Sequence, residues 1–130
     1  MQTIVLQQLP AKLILSELMR TLLIRAGSED ERDFAQLLAE AQQIANPKAC
    51  YGVALVEERE ESRVKIDNVW FTSRVLTGNL NQTERVFPFV VTCGMELEEW
   101  SESITDMFWR YWAAAIKEAA LHSALNPFFT

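Results

Sequence analysis

Between Arg85 and Leu125 the chain changes its hydrophobic period once, and that change limits the folds open to it. Arg85–Thr92 (RVFPFVVT) is β-branched and aromatic almost throughout, the composition of a buried strand. Thr92-Cys93-Gly94 then reads as a tight turn, followed by a short acidic helix through Trp100 and a long helix from Ser103 to Leu125. Asn126-Pro127 stops the long helix, because a residue before proline avoids the helical region. Pro88 has no N–H to give a ladder, so the strand is expected at a sheet edge or with a bulge there. A strand handed directly to two helices points to an α+β fold, a small mixed or antiparallel sheet with helices packed against it.

The upstream half supports this. Thr3–Leu6 suits a short strand, and Pro10 suits the first turn of a helix to Arg25, stopped by Gly27. On that helix Leu13, Ile14, Leu15, Leu18, Met19, Leu22, Leu23 and Ile24 cover more than one buried face requires. Core packing on two sides and a subunit or partner interface both account for so wide an arc. Ser28 and Glu31 have capping-box spacing, and Phe34, Leu37, Leu38, Ala41 and Ile44 mark an amphipathic helix ended by Pro47. From Cys50 the period becomes two: Tyr51–Val56 reads as a strand covered on both faces or nearly so, and Glu57–Arg63 as a polar turn. Val64, Ile66, Val69 and Phe71 suggest a return strand broken near Asp67-Asn68. Ser73 can cap a short helix through Leu80, in which Gly78 permits close backbone approach.

At 130 residues, with no repeat or linker-like segment, residues 1–130 are expected to form one domain. A net charge of −6 without a basic stripe argues against nucleic acid or anionic membrane as general partners. No run reaches the roughly 18 apolar residues of a membrane span. Cys50 and Cys93 have no zinc or redox spacing, which makes a reducing cytoplasm the expected compartment.

Few residues offer chemistry, and no catalytic or metal-binding residue is assigned. Cys93 stands where a strand meets a helix, a place that can activate a thiol, but Glu96, Glu98 and Glu99 crowd that turn and oppose a thiolate. A small buried hydrophobe is the better reading. Glu118 and His122 share a helix face and could form an acid/base couple, though an ordinary i,i+4 contact needs nothing more. Trp100, Phe108, Trp109, Tyr111 and Trp112 gather much of the aromatic mass within a few turns, and the long helix carries two apolar stripes, Phe108–Tyr111–Ala115 and Trp109–Trp112–Ile116. Two stripes imply burial on two sides, in the core or at a dimer interface. Glu57–Glu61 is acid-rich but interrupted by Arg59 and lacks calcium-loop spacing, so a solvated hairpin tip is expected.

Four segments, in order, carry a family likeness: ACYGVALVEE (49–58), VWFTSRVL (69–76), VFPFVVTCGMELEEW (86–100) and FWRYWAAAIKEAALHSAL (108–125). Together they resemble stand-alone relatives of the cobalamin-dependent methionine synthase activation domain, over residues 30–122. In such relatives a strand ends in a Thr-x-Gly turn, and a later helix carries an Ala-rich stretch ending in glutamate. Thr92, Gly94, Ala113–Ala115 and Glu118 occupy those positions.

The resemblance implies an α+β fold of the activation-domain type. The full activation domain binds S-adenosylmethionine through an Arg-x-x-x-Gly-Tyr segment beyond the long helix and helps remethylate an inactivated corrinoid. No glycine follows Gly94 here, and the string from Arg74 to Gly78-Asn79 has the wrong last residue and precedes the core strand. The ligand site therefore has no counterpart to carry over, and cofactor-binding residues stay unassigned. The expectation is a relative shortened at its C-terminus: a non-catalytic helper that docks on a corrinoid protein or methyltransferase, or pairs with itself as a homo-oligomer. Its link to cobalamin and S-adenosylmethionine would then be indirect. The alternative is an S-adenosylmethionine-binding reactivation enzyme whose missing segment comes from another chain.

Overall fold

A computed structural model describes residues 1–129. The elements run β1 (Thr3–Leu6), α1 (Leu15–Leu22), α2 (Glu29–Ile44), β2 (Lys48–Gly52), β3 (Ala54–Arg59), β4 (Arg63–Ile66), β5 (Val69–Thr72), α3 (Arg74–Asn79), β6 (Arg85–Val86), β7 (Phe89–Thr92), α4 (Met95–Glu102) and α5 (Met107–Leu125). A 3₁₀ turn over Asn126–Phe129 follows. The fold is α+β. Among the described residues no helix is long and apolar enough to cross a membrane.

Two compact units gather the contacts: residues 1–5 with 50–90, and residues 6–49 with the described residues from 91 onward. One sheet has the order β1-β2-β7, and the other β5-β4-β3-β6.

In the first unit β3, β4, β5 and β6 pair antiparallel. Their register sets Ala54 beside Val86, Ile66 between Val56 and Val69, and Val64 beside Phe71, all on one face. The other face carries Lys65, Trp70 and Arg63, with the Arg63 guanidinium 4.0 Å from the Trp70 ring centroid. A bulge between Val56 and Glu58 turns Arg59 to the α3 side. There Arg59 Nε donates to Leu80 O at 3.0 Å, and its Nη2 donates to Thr83 O. Asp67 and Asn68 both have positive φ (48° and 66°), as a two-residue hairpin turn of the primed type requires. The expected break near Asp67-Asn68 is therefore a reversal, and the single return strand is two strands, β4 and β5.

The helical unit is built around Trp112. This side chain is buried with Phe34, Leu37, Leu97 and Ile116, and Phe34 meets its ring edge-on at 5.5 Å. Ser28 caps α2 by accepting from Glu31 N, and Glu31 Oε2 reaches back to Gly27 N at 3.0 Å, one residue beyond the amide that the capping box predicts. Phe34, Leu37, Leu38 and Ala41 are buried as their spacing requires, whereas Ile44 is exposed.

Three expectations need correction. The helix drawn from Pro10 to Arg25 begins only at Leu15, because the preceding backbone is bonded to side chains: Lys12 N donates to Ser123 Oγ, and Ala11 O accepts from Gln42 Nε2. It also ends before Gly27. Leu23 adopts the left-handed conformation (φ 59°), and Leu23 N and Ile24 N donate to Arg20 O and Met19 O, closing the helix with a Schellman motif. The strands at 51–56 and 85–92 are each divided, at Val53 and at Phe87-Pro88. In addition Leu55 and Val90 are exposed, so neither segment is covered on both faces. Finally, α5 starts at Met107, since Asp106 caps it by accepting from Phe108 N and Trp109 N. Gly78 meets no close neighbour.

Leu23 is 87% exposed, so its side chain contributes little packing while its backbone is strained. Leu23→Gly is expected to stabilise the protein by about 0.5–1 kcal/mol, read as a higher thermal midpoint.

Candidate functional site

The Thr92-Cys93-Gly94 turn concentrates the constrained and titratable groups of the helical unit. Gly94 has φ 97° and ψ 148°, a region essentially restricted to glycine. A Cβ there would stand 2.6 Å from Asn46 O, so backbone packing also excludes a side chain. Thr92 Oγ1 accepts from Gly94 N at 3.1 Å, fixing the turn before α4 begins.

Asn46 Nδ2 donates to Glu96 Oε2 at 3.0 Å. That bond, assisted by the Glu96 amide, holds the Glu96 carboxyl below its ordinary value. Glu98 is occupied by Lys117, whose Nζ lies 2.9 Å from Glu98 Oε2. Cys93 packs half-buried against the helical core. Burial pushes its thiol up; the Lys117 charge opposes this, and Glu98 adds to it. At neutral pH Cys93 is thus a thiol rather than a thiolate. Of the three acidic neighbours, Glu98 acts as the sequence suggests, but desolvation is the larger cause.

The other singled-out residues lie apart from this turn. His122 Nε2 is 3.6 Å from Glu118 Oε1, and both side chains are well exposed on α5. Glu57 accepts from Asn68 N and lies 3.9 Å from Lys65 Nζ, while Glu60 pairs with Arg63. The acidic tip is thereby tied into its own hairpin. Among the described residues no group of three or more His, Cys, Asp or Glu side chains is placed to hold a metal ion.

The aromatic residues divide. Trp109 stacks on Trp112 at 6.4 Å, and the stripe through Ile116 is core. The other stripe is not covered: Phe108 and Tyr111 are each 63% exposed, with Met107 beside them. The first unit contains an open apolar cleft of about 410 Å³, lined by Ala54, Ile66, Val69, Phe71, Leu76 and Phe87 among others. Sequence periodicity missed this cleft, because apolar residues on alternate strand positions signal a covered face without showing what covers it. The six residues of α3 close only part of it.

No family model matches the chain, and no curated protein matches it.

Two outcomes test this description. Gly94→Ala is expected to cost about 2–4 kcal/mol, from backbone strain together with displacement of the Asn46 carbonyl, measured by denaturant unfolding. Alkylation of Cys93 in a Cys50→Ala background should be slower than that of a free thiol at neutral pH, and its rate should keep rising with pH beyond the point where that of a free thiol levels off.

Proposed function

We propose that this chain is a non-catalytic interaction module, a helper in corrinoid-dependent methyl transfer or corrinoid reactivation. The observation that carries the reading is apolar surface left open: Met107, Phe108 and Tyr111 on α5, and the Val69–Phe71–Phe87 cleft of the strand unit. Contiguous exposed apolar residues of this kind mark sites of protein association more often than they mark solvent-facing surface. The Tyr and Met of the α5 patch are also residue types enriched in interface cores. The corrinoid assignment rests on the likeness of the 86–100 and 108–125 segments to the activation domain. A cobalamin-carrying protein or its methyltransferase is the partner this likeness implies, with self-association as a companion property and the cytoplasm as the setting.

The test uses a purified, cobalamin-loaded binding protein, followed by the corrinoid's visible absorbance in sedimentation. The expected result is faster sedimentation of the absorbance when the chain is added, weakened at least about tenfold by Met107→Glu or Tyr111→Glu, each at an interface position. An unchanged boundary at about 100 µM chain overturns the corrinoid assignment. Binding heat with S-adenosylmethionine alone would favour the reactivation enzyme instead.

A further inference from the structure

We propose that β5 is a self-association edge, through which two copies of the chain join their four-stranded sheets antiparallel about a twofold axis. This deepens the interaction-module reading and rests on it for the expectation that the open apolar surface serves association.

The two ends of the four-stranded sheet differ. β6 has two residues and runs into Phe87-Pro88, a short, proline-ended edge that resists further pairing. β5 is Val69-Trp70-Phe71-Thr72, without proline or charge, and among the described residues no strand lies on its outer side. An edge of that composition lacks the devices that block strand addition.

Ladder parity identifies the groups that face outward. Val69 and Ile66 close the hairpin, Phe71 is opposite Val64, and Ser73 N donates to Ser62 O at 2.9 Å. The odd-numbered residues therefore bond toward β4, and Trp70 and Thr72 present their N–H and C=O outward.

Only one twofold register uses both residues fully. With Phe71 opposite Phe71 of the second copy, Trp70 faces Thr72 of that copy, and the two equivalent pairs make four hydrogen bonds. Moving the axis to Trp70 would need Asn68, whose φ is positive and whose N–H already donates to Glu57 Oε1 at 2.9 Å. Moving it to Thr72 would need Arg74, which is already helical.

In the favoured register the Phe71 rings meet as a cross-strand aromatic pair on the apolar face, where Phe71 is 43% and Val69 54% exposed. The apolar clefts of the two copies become continuous. On the opposite face Trp70 meets Thr72, so no like charges are opposed. Beyond the paired residues, exposed Arg74 of one copy comes opposite neutral Asn68 of the other, so no like charges meet at either end. Three paired β5 residues a side are far fewer than the roughly 20–30 of a standard interface, so the dimer is weak and concentration-dependent.

Sedimentation equilibrium from about 5 to 500 µM, the range of weak dimers, should show mass rising from one chain toward two. Thr72→Pro removes an outward N–H that the intrachain ladder does not use. It is expected to weaken association at least about tenfold, whereas Thr72→Val should leave it unchanged. Hydrogen exchange of wild-type protein should show the Trp70 and Thr72 amides slowing as concentration rises, and this reading stands even if Thr72→Pro fails to fold. A folded Thr72→Pro variant that dimerises like wild type overturns the edge, as do amides indifferent to concentration. A wild-type chain that is monomeric throughout overturns self-pairing, while cosedimentation with the corrinoid protein would still stand or fall separately.

Discussion

Proline at position 88 has no amide hydrogen, and much of the sheet architecture follows from that single missing donor. A continuous ladder through Arg85–Thr92 would leave a gap at its centre. The chain instead ends β6 after two residues and begins β7 beyond the proline, in the other sheet. Pro88 keeps one ladder function, since its carbonyl accepts from Gly52 N at 3.1 Å. Because β6 is so short, the four-stranded sheet has one blunted end and one open end. The open end is β5.

Within the strand unit, a second local device follows from the first. With the sheet's apolar face only partly covered by the short α3, the helix must be held in place. The bulge near Glu57 does this by turning Arg59 to the helix side, where its guanidinium takes carbonyl groups at and after the helix end. Cations at helix C-termini satisfy carbonyls that have no partner within the helix. The helical unit solves its packing differently, by surrounding Trp112 with aliphatic residues and an edge-on Phe34. Its turn into α4 depends on Gly94, the residue type whose backbone can pass the Asn46 carbonyl at this φ.

Chemistry at that turn is subdued for a physical reason. The thiol of Cys93 loses hydration to the core, and the nearest cation, Lys117, is already neutralised by Glu98. A helix N-terminus alone does not activate a thiol against both effects. The groups that distinguish this molecule are instead apolar and exposed: the α5 patch, the cleft and the β5 edge. They are the surfaces on which the proposed association rests.

Local signals were legible in the sequence wherever local bonds decide the outcome. Ser28 and Ser73 cap helices through their own side chains, and the α+β class follows from the change of period; α5 ends at Leu125 as expected, but Asn126 before the proline stays helical (φ −52°, ψ −41°) and the chain tightens into a 3₁₀ turn. Where a distant group competes for the backbone, sequence reasoning failed: Ser123 and Gln42 take the atoms that a helix from Pro10 would have used. Leu23 closes α1 in a conformation that propensity reserves for glycine. The candidate surfaces were least legible of all. Alternation marks Val69 and Phe71 as apolar-face residues, but only strand order shows that β5 is an edge and that α3 is too short to cover them. Sequence by itself determined the helical, extended and capped segments whose backbone bonds stay local, because those choices rest on neighbours within a turn or two. Tertiary structure alone decided which apolar faces are closed and which are open, because that depends on partners brought together from far along the chain.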